Sequence, residues 1–393
     1  MPEDRNQGDR PRADDPSPRA DRPPVSTYRE LNEPGEWDGA LRPRSFDDFI
    51  GQEGVKTNLR VYVEAARMRR ETLDHVLLSG YPGLGKTSLC HILGREMGSE
   101  VRVTSGPALE RPRDLVGVLT SLQAGDFLFI DEIHRLPRAV EEYLYAAMED
   151  FAVDVLIDQG PNARSVRVTL KPFTLVGATT REGLLAAPFR ARFGVIEKLD
   201  LYDEASLGSI VRRSAALLAI PCEDDAAALI ARSSRGIPRI ANRLLRRIRD
   251  VAQVEGAQVE GAQVEGAQVE GAQVEGAQVE GAQVEGARVG GPARITAGLA
   301  RRGLDMMGID AMGLETTDRR LLAFLARLGG GPVGLKTLAM AVGEEDDTIE
   351  EVYEPYLVRL GLIEKTPRGR RLTEAGARHV SAPSGTRRQE TLF

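Results

Sequence analysis

Gly80-Tyr81-Pro82-Gly83-Leu84-Gly85-Lys86-Thr87 is the stretch on which the fold turns. The apolar run His75–Ser79 (HVLLS) precedes it and reads as a buried strand that stops at Gly80; Thr87–Met97 follows and reads as a helix. In a strand, Gly-x-x-x-x-Gly-Lys-Thr, helix order, glycines let backbone N–H groups close around phosphate oxygens, and the helix N-terminus adds positive potential. Here Gly83 and Gly85 shape the loop, Lys86 is placed to bridge the β- and γ-phosphates, and the Thr87 hydroxyl is placed to ligate Mg²⁺ with Ser88 beside it. The motif predicts a cradle for ATP and Mg²⁺.

A second signal makes the first specific. Phe127–Asp131 (FLFID) is an apolar strand with Asp131 and Glu132 emerging at its end. Successive strand residues face opposite sides, so the two acids can divide the work. Asp131 is expected in the Mg²⁺ shell, and Glu132 is expected to orient and polarise the attacking water. An Asp-Glu pair at a strand end is alone more often an exposed turn; beside a P-loop it reads as a hydrolytic site. Phe173–Arg181 (FTLVGATTR) is a further strand ending in hydroxyls, where Thr180 is placed to sense the γ-phosphate or position water. The plainer alternative is a threonine that caps the next helix. Pro188–Gly194 (PFRARFG) carries Arg190 and Arg192, candidates for an arginine finger, and Gly236-Ile237-Pro238-Arg239 opens a helix that can aim Arg239 at the nucleotide.

Strand candidates at Val101–Thr104, Phe127–Asp131 and Phe173–Gly177 alternate with helical patterns, which predicts a parallel α/β sheet. Phe151–Ile157 and Arg164–Leu170 alternate apolar and polar residues around Gln159-Gly160-Pro161-Asn162, the pattern of a projecting hairpin or of an ordinary sheet edge. Residues 204–251 read as helical. Ala-Gln-Val-Glu-Gly then repeats seven times from Ala252 to Gly286. Glycine at every fifth position disfavours helix by roughly 1 kcal/mol each relative to alanine. The period builds no apolar stripe, so a flexible acidic linker is expected. In 292–393, three helical patterns precede Leu362–Thr373 (LIEKTPRGRRLT), with Pro367 and Gly369 at a turn, which predicts a winged helix. The expected division is a disordered tail at 1–35, a large ATPase domain at 36–203, a small helical domain at 204–251, a linker at 252–291 and the winged-helix head at 292–393.

The 393 residues carry 52 basic and 59 acidic side chains, a net charge of −7. The seven glutamates of the repeat account for the whole excess, so the remainder is neutral and leaves room for a local basic patch. Cys90 and Cys222 make no ligand or disulfide pattern, consistent with a reducing cytoplasm. His75, His91, His134 and His379 stand alone and read as packing or surface residues. No apolar run has the length of a membrane span, and no membrane partner is expected.

The ordered set of P-loop, Asp131-Glu132, Thr180, Arg192 and Arg239 resembles that of AAA+ ATPases. The strings LRPRSFDDFIGQE, DHVLLSGYPGLGKTS, FLFIDEIHRLPRAVEEYLYAAMEDF, FTLVGATTREGLL and GIPRIANRLLRR resemble the RuvB family of bacterial Holliday-junction branch-migration motors. The resemblance runs from Leu41 to Thr373 apart from the repeat. It implies a homo-hexameric ring around duplex DNA at four-way junctions, with RuvA and RuvC as partners and each ATP between two subunits. Carried over by motif, it places Leu41 and Arg42 at the adenosine end, Gly83, Lys86, Thr87 and Ser88 at phosphates and metal, and Tyr202 and Arg239 in the same subunit's pocket. Glu149, Asp150 and Phe151, with Arg192 as the finger, would come from the neighbour, and the hairpin at 151–170 would dock RuvA. Lys365 stands where the family has a DNA-contacting arginine, Asp346 replaces another arginine, and Arg370 keeps its type. Two other readings stay open: a nucleotide-gated DNA-binding scaffold with slow hydrolysis, and a protein-remodelling machine, although no aromatic-hydrophobic pore loop is seen.

Overall fold

A five-stranded, all-parallel sheet organises the computed structural model, which describes residues 38–156, 165–269 and 294–381. Its strands are β1 (Val76–Ser79), β2 (Val101–Ser105), β3 (Phe127–Asp131), β6 (Thr174–Thr179) and β7 (Val195–Lys198), in the spatial order β2-β3-β6-β1-β7. β1 and β6 are buried along their whole length, as their unbroken small and apolar sequence requires. β6 pairs with both β1 and β3 and so lies between the P-loop strand and the Asp131-Glu132 strand. All three strands end on one edge, the position at which open α/β sheets bind ligands. The helix Lys86–Met97 packs its Gly94 so closely on β2 that a Cβ there would stand 2.4 Å from Val101 Cγ2.

Ala152–Leu156 (β4) and Ser165–Thr169 (β5) pair antiparallel, which is the expected hairpin. Its turn at Gln159–Asn162 lies outside the described residues, as does the tail at 1–35.

The helices Glu204–Leu217, Asp224–Arg232 and Pro238–Val269 form a bundle beside the sheet. Two findings differ from the sequence expectation. First, the helix that starts at Pro238 does not stop before the repeat but continues from Ala252 to Val269. Packing of Ile240, Ala241, Leu244, Leu245 and Ile248 has already nucleated it, and elongation adds residues without a new nucleation cost. One glycine in five is tolerated under those conditions. The rest of the repeat, with the residues up to 293, lies outside the described residues. Second, the chain beyond the repeat returns to the same bundle. Ile295 N–H donates to Pro221 O at 2.8 Å, and Glu223 N–H donates to Ile295 O at 3.0 Å. Helix Ala297–Met306, capped by Thr296, buries Leu299, Ala300 and Leu304 against Leu244, Leu245 and Ile248. The described chain on both sides of the repeat thus packs in the bundle, so the repeat does not link bundle to head.

The head holds helices Thr316–Arg327 and Leu335–Val342, then a continuous helical segment from Asp346 to Arg359 whose middle, Ile349–Tyr353, is a π-turn. Ile363–Thr366 (β8) and Gly369–Leu372 (β9) pair antiparallel as the wing. Tyr353, Leu322 and Leu357 are fully buried in its core. The architecture is a parallel-sheet P-loop domain, a helical lid and a winged-helix head, as the sequence predicts.

Candidate nucleotide-hydrolysis site

A cleft of about 460 Å³ opens at the sheet edge, between the P-loop and the lid. It is lined by Leu41, Arg42, Gly83, Lys86, Thr87, Ser88, Asp131, Glu132, Tyr202 and Arg239, ten residues drawn together from five separate segments of sequence. Gly85 has φ 107°, and a Cβ there would meet Phe49 Cζ at 2.9 Å, so the loop needs glycine for both conformation and space. The Lys86 ammonium donates to Gly80 O at 2.6 Å and Tyr81 O at 3.0 Å. Burial depresses it to about 8, against the pull of Asp131 and Glu132, so a bound phosphate would be met by a poorly solvated cation. Tyr202 O–H donates to Leu84 O at 3.2 Å and ties the lid entrance to the P-loop. Thr87 and Asp131 offer a hydroxyl and a carboxylate beside the phosphate cradle, a donor set that suits Mg²⁺.

Glu132 sits in the left-handed region at φ 48° and ψ 45°, an uncommon conformation for a side chain with a Cβ. Burial is the main cause that raises its pKa; Asp131 also raises it, while Lys86 and Thr180 oppose. Thr180 does not line the cleft but donates from Oγ1 to Glu132 Oε2 at 3.3 Å, because β6 lies beside β3.

Four residues expected to serve a neighbouring subunit do not line this cleft. Arg192 Nε stands 3.1 Å from Glu149 Oε1, its guanidinium lies 4.5 Å from the Tyr145 ring centroid, and Nη1 donates to Pro188 O at 2.7 Å. Asp150 pairs with Arg167 of β5 at 2.8 Å, and Phe151 follows in the left-handed region. All four therefore gather around the end of helix Arg138–Asp150.

The wing corrects one expectation. Arg370 was expected at the DNA surface, yet it is only 8% exposed and its Nε donates to buried Glu354 Oε2 at 2.7 Å. It braces the wing against helix Glu354–Arg359, because a buried carboxylate there needs a partner. Lys365 stays half-exposed, with Nζ 2.9 Å from Glu350 Oε1 and 3.2 Å from Glu354 Oε1. Arg368, at the wing turn, is exposed.

Sequence reasoning missed several contributors. Arg213 reaches in from the lid to donate to Leu41 O at 3.0 Å, and Asn242 lines the cleft while bonding Ser214. The spacing of Ile210 and Arg213 on one helical face was a usable signal. Val352 of the head also lines the cleft, and Arg181, next to Thr180, bonds Glu351 and lies 3.9 Å from Asp347. Nothing local in sequence announces that contact between domains.

Comparison with known proteins finds the same three domains in the same order. Family models match in three blocks: the Holliday junction DNA helicase RuvB P-loop domain at 41–199, the RuvB AAA lid domain at 202–275 and the RuvB C-terminal winged helix domain at 311–381. The Holliday junction branch migration complex subunit RuvB of Salinibacter ruber is 50% identical over 84% of this chain and 86% of its own length. The subunit of that name from Myxococcus xanthus is 50% identical over 91% of this chain and 94% of its own. A solved structure of the Thermotoga maritima RuvB Holliday junction branch migration motor is 45% identical, with a TM-score of 0.70, covering 87% of this chain and 98% of that one. With matching domains in matching order over most of its length, the chain belongs to the RuvB family.

Proposed function

We propose that the chain is an ATP-driven DNA translocase that migrates four-way Holliday junctions in recombination and repair. It would act in the cytoplasm as a homo-hexamer around duplex DNA, with RuvA and RuvC. The observation that carries this reading is the division of the hydrolytic set. Lys86, Thr87, Asp131, Glu132 and Arg239 share one cleft, while Glu149, Asp150, Phe151 and Arg192 collect elsewhere on the same chain. A second copy is the natural supplier of the missing half.

In this reading the P-loop amides and Lys86 hold the phosphates, and Leu41, Arg42 and Tyr202 hold the adenosine end. Thr87 and Asp131 would hold Mg²⁺, which neutralises phosphate charge when bound. Glu132, whose pKa burial raises, orients the attacking water and takes its proton. Thr180 fixes one carboxylate oxygen, and the neighbour's Arg192 stabilises the charge that develops on the transferred phosphoryl group. The head borders the cleft through Val352, and Glu351 beside it bonds Arg181, so nucleotide changes have a short path to the DNA-facing module. DNA contact itself is sequence-independent and made through phosphates, with Lys365 and the exposed Arg368 as the wing's contributors.

Subunit mixing tests the shared site. Lys86→Ala and Arg192→Ala proteins should each lack DNA-stimulated ATPase. Mixed together they should regain part of it, because some interfaces then pair an intact P-loop with an intact finger. Two inactive proteins that stay inactive on mixing would contradict a finger supplied by the neighbour.

A further inference from the structure

His134 follows the Asp131-Glu132 pair on the short turn Ile133–Arg135, and its side chain is 8% exposed. It does not line the nucleotide cleft. Its Nδ1 stands 3.3 Å from Glu132 Oε2 and 2.9 Å from Thr179 Oγ1, at the end of β6. Thr180 Oγ1 lies 3.3 Å from the same Glu132 oxygen. Two neighbouring elements therefore converge on Oε2. The backbone cooperates: the left-handed conformation of Glu132 turns the chain back on itself, and Gly106 leaves room for that turn. A Cβ at Gly106 would stand 2.4 Å from Glu132 O.

The chemistry of the contact selects a tautomer. Burial is the first cause that lowers the His134 pKa, and Arg181 and Arg135 lower it further, so the ring is neutral around pH 7. A lone pair on Nδ1 would face the Glu132 carboxylate and be repelled. The assignment that fits is Nδ1–H, hydrogen-bonded to Thr179 Oγ1 at 2.9 Å, with its positive end beside Oε2 at 3.3 Å. Thr179 is itself oriented, because Arg181 N–H donates to its Oγ1 at 3.0 Å. A carboxylate held at one oxygen by the Thr180 hydroxyl and faced there by the Nδ1–H dipole has one favoured rotational setting, and its Oε1 is left to receive the proton of the water.

We propose that His134 is a positioning residue for ATP hydrolysis: with Thr180 it clamps Oε2 of Glu132 and aims Oε1 at the attacking water. The proposal rests on the reading of Glu132 as the group that activates water. Because it acts on orientation and not on nucleotide contact, its loss should appear in kcat and not in KM. A displaced reacting group costs up to about 100-fold in rate.

The test uses the full chain with duplex DNA and steady-state ATP hydrolysis. His134→Ala should lower kcat by roughly 10- to 100-fold with KM for ATP within about twofold. His134→Asn, whose side-chain N–H₂ can reach the place of Nδ1, should recover most of the rate. His134→Gln, whose amide extends toward the place of Nε2, should not. In a Glu132→Gln background, His134→Ala should add no further loss. If alanine compromises folding in a thermal melt, the Asn-against-Gln comparison decides alone. Undiminished kcat in His134→Ala, or equal rates for Asn and Gln, would overturn the proposal. A Glu132→Gln protein that keeps full kcat would instead overturn the underlying reading of Glu132.

Discussion

Arg235 joins the lid to the head through a buried ion pair, and removing it should loosen the head in a pH-dependent way. Arg235 is 3% exposed and Asp318 is fully buried, and their side chains bond directly. Arg235 Nε also donates to Gly313 O at 3.2 Å, with the guanidinium 4.7 Å from the Tyr356 ring centroid. Asp318 meanwhile accepts Glu315 N–H at 2.8 Å and caps its own helix. Removing one partner of a buried pair typically costs about 3–5 kcal/mol, because the other charge is left behind. Burial already raises the Asp318 carboxyl to about 6, even with Arg235 pulling it down. Its folded pKa therefore exceeds its unfolded value, and the stability it contributes is greatest in acid and is lost as pH rises to 6. In Arg235→Met the folded pKa climbs further, so the loss continues above pH 6 where the parent protein has none left to lose. The cost of the substitution should grow by about 1.4 kcal/mol per pH unit from there. Amide hydrogen exchange in helix Thr316–Arg327, corrected for intrinsic rates, reads this locally. Exchange should speed up at least about 100-fold at pH 8, and less at pH 6. Arg235→Met with Asp318→Leu should recover most protection, less about 1 kcal/mol for the lost cap. Unchanged exchange at pH 8, or a double variant worse than the single one, would refute the reasoning.

Three further outcomes follow from the same geometry. Lys86 sits at about 8 without phosphate, and bound phosphate favours its charged form, so ATP affinity should fall up to about tenfold per pH unit above pH 8, measured by titration calorimetry. Because Pro221–Glu223 holds Ile295, deleting six AQVEG copies leaves the head where it is. ATPase rate should be nearly unchanged and the lid stabilised by no more than about 1 kcal/mol; a large loss of rate would mean the repeat acts on the motor. At the wing, Arg368→Ala should weaken duplex binding and reduce its salt dependence by about one counterion, whereas Arg370→Ala should chiefly destabilise the head by leaving buried Glu354 with only the half-exposed Lys365.

Much of the motor was legible in sequence because its signals are local. A strand that ends in Gly80, and another that ends in Asp131-Glu132, carry their chemistry within a few residues of a predictable element. The order of strands was not legible, and it is what sets Thr180 beside Glu132 and Thr179 beside His134. Without that neighbour, His134 reads as an isolated packing histidine. Arg370 misled for a related reason. A cation on a wing suggests phosphate contact, but Glu350 and Glu354 stand four apart on the facing helical segment and claim it first. The return of Ile295–Met306 to the lid was hidden by the repeat. A polar run between two apolar patterns looks the same whether it links two domains or forms a loop in one. The helix through Ala252–Val269 shows the converse, where a nucleated helix overrides a weak local preference.

The central claim is that hydrolysis in this cleft moves DNA. The measurement that bears on it most directly is migration of a synthetic four-way junction in the presence of RuvA and ATP. The parent protein should resolve the junction into duplex products, and Glu132→Gln, which keeps the phosphate cradle and loses the group that activates water, should bind and stall. A parent protein that leaves the junction in place, or a Glu132→Gln protein that migrates it at the parent rate, would contradict the account.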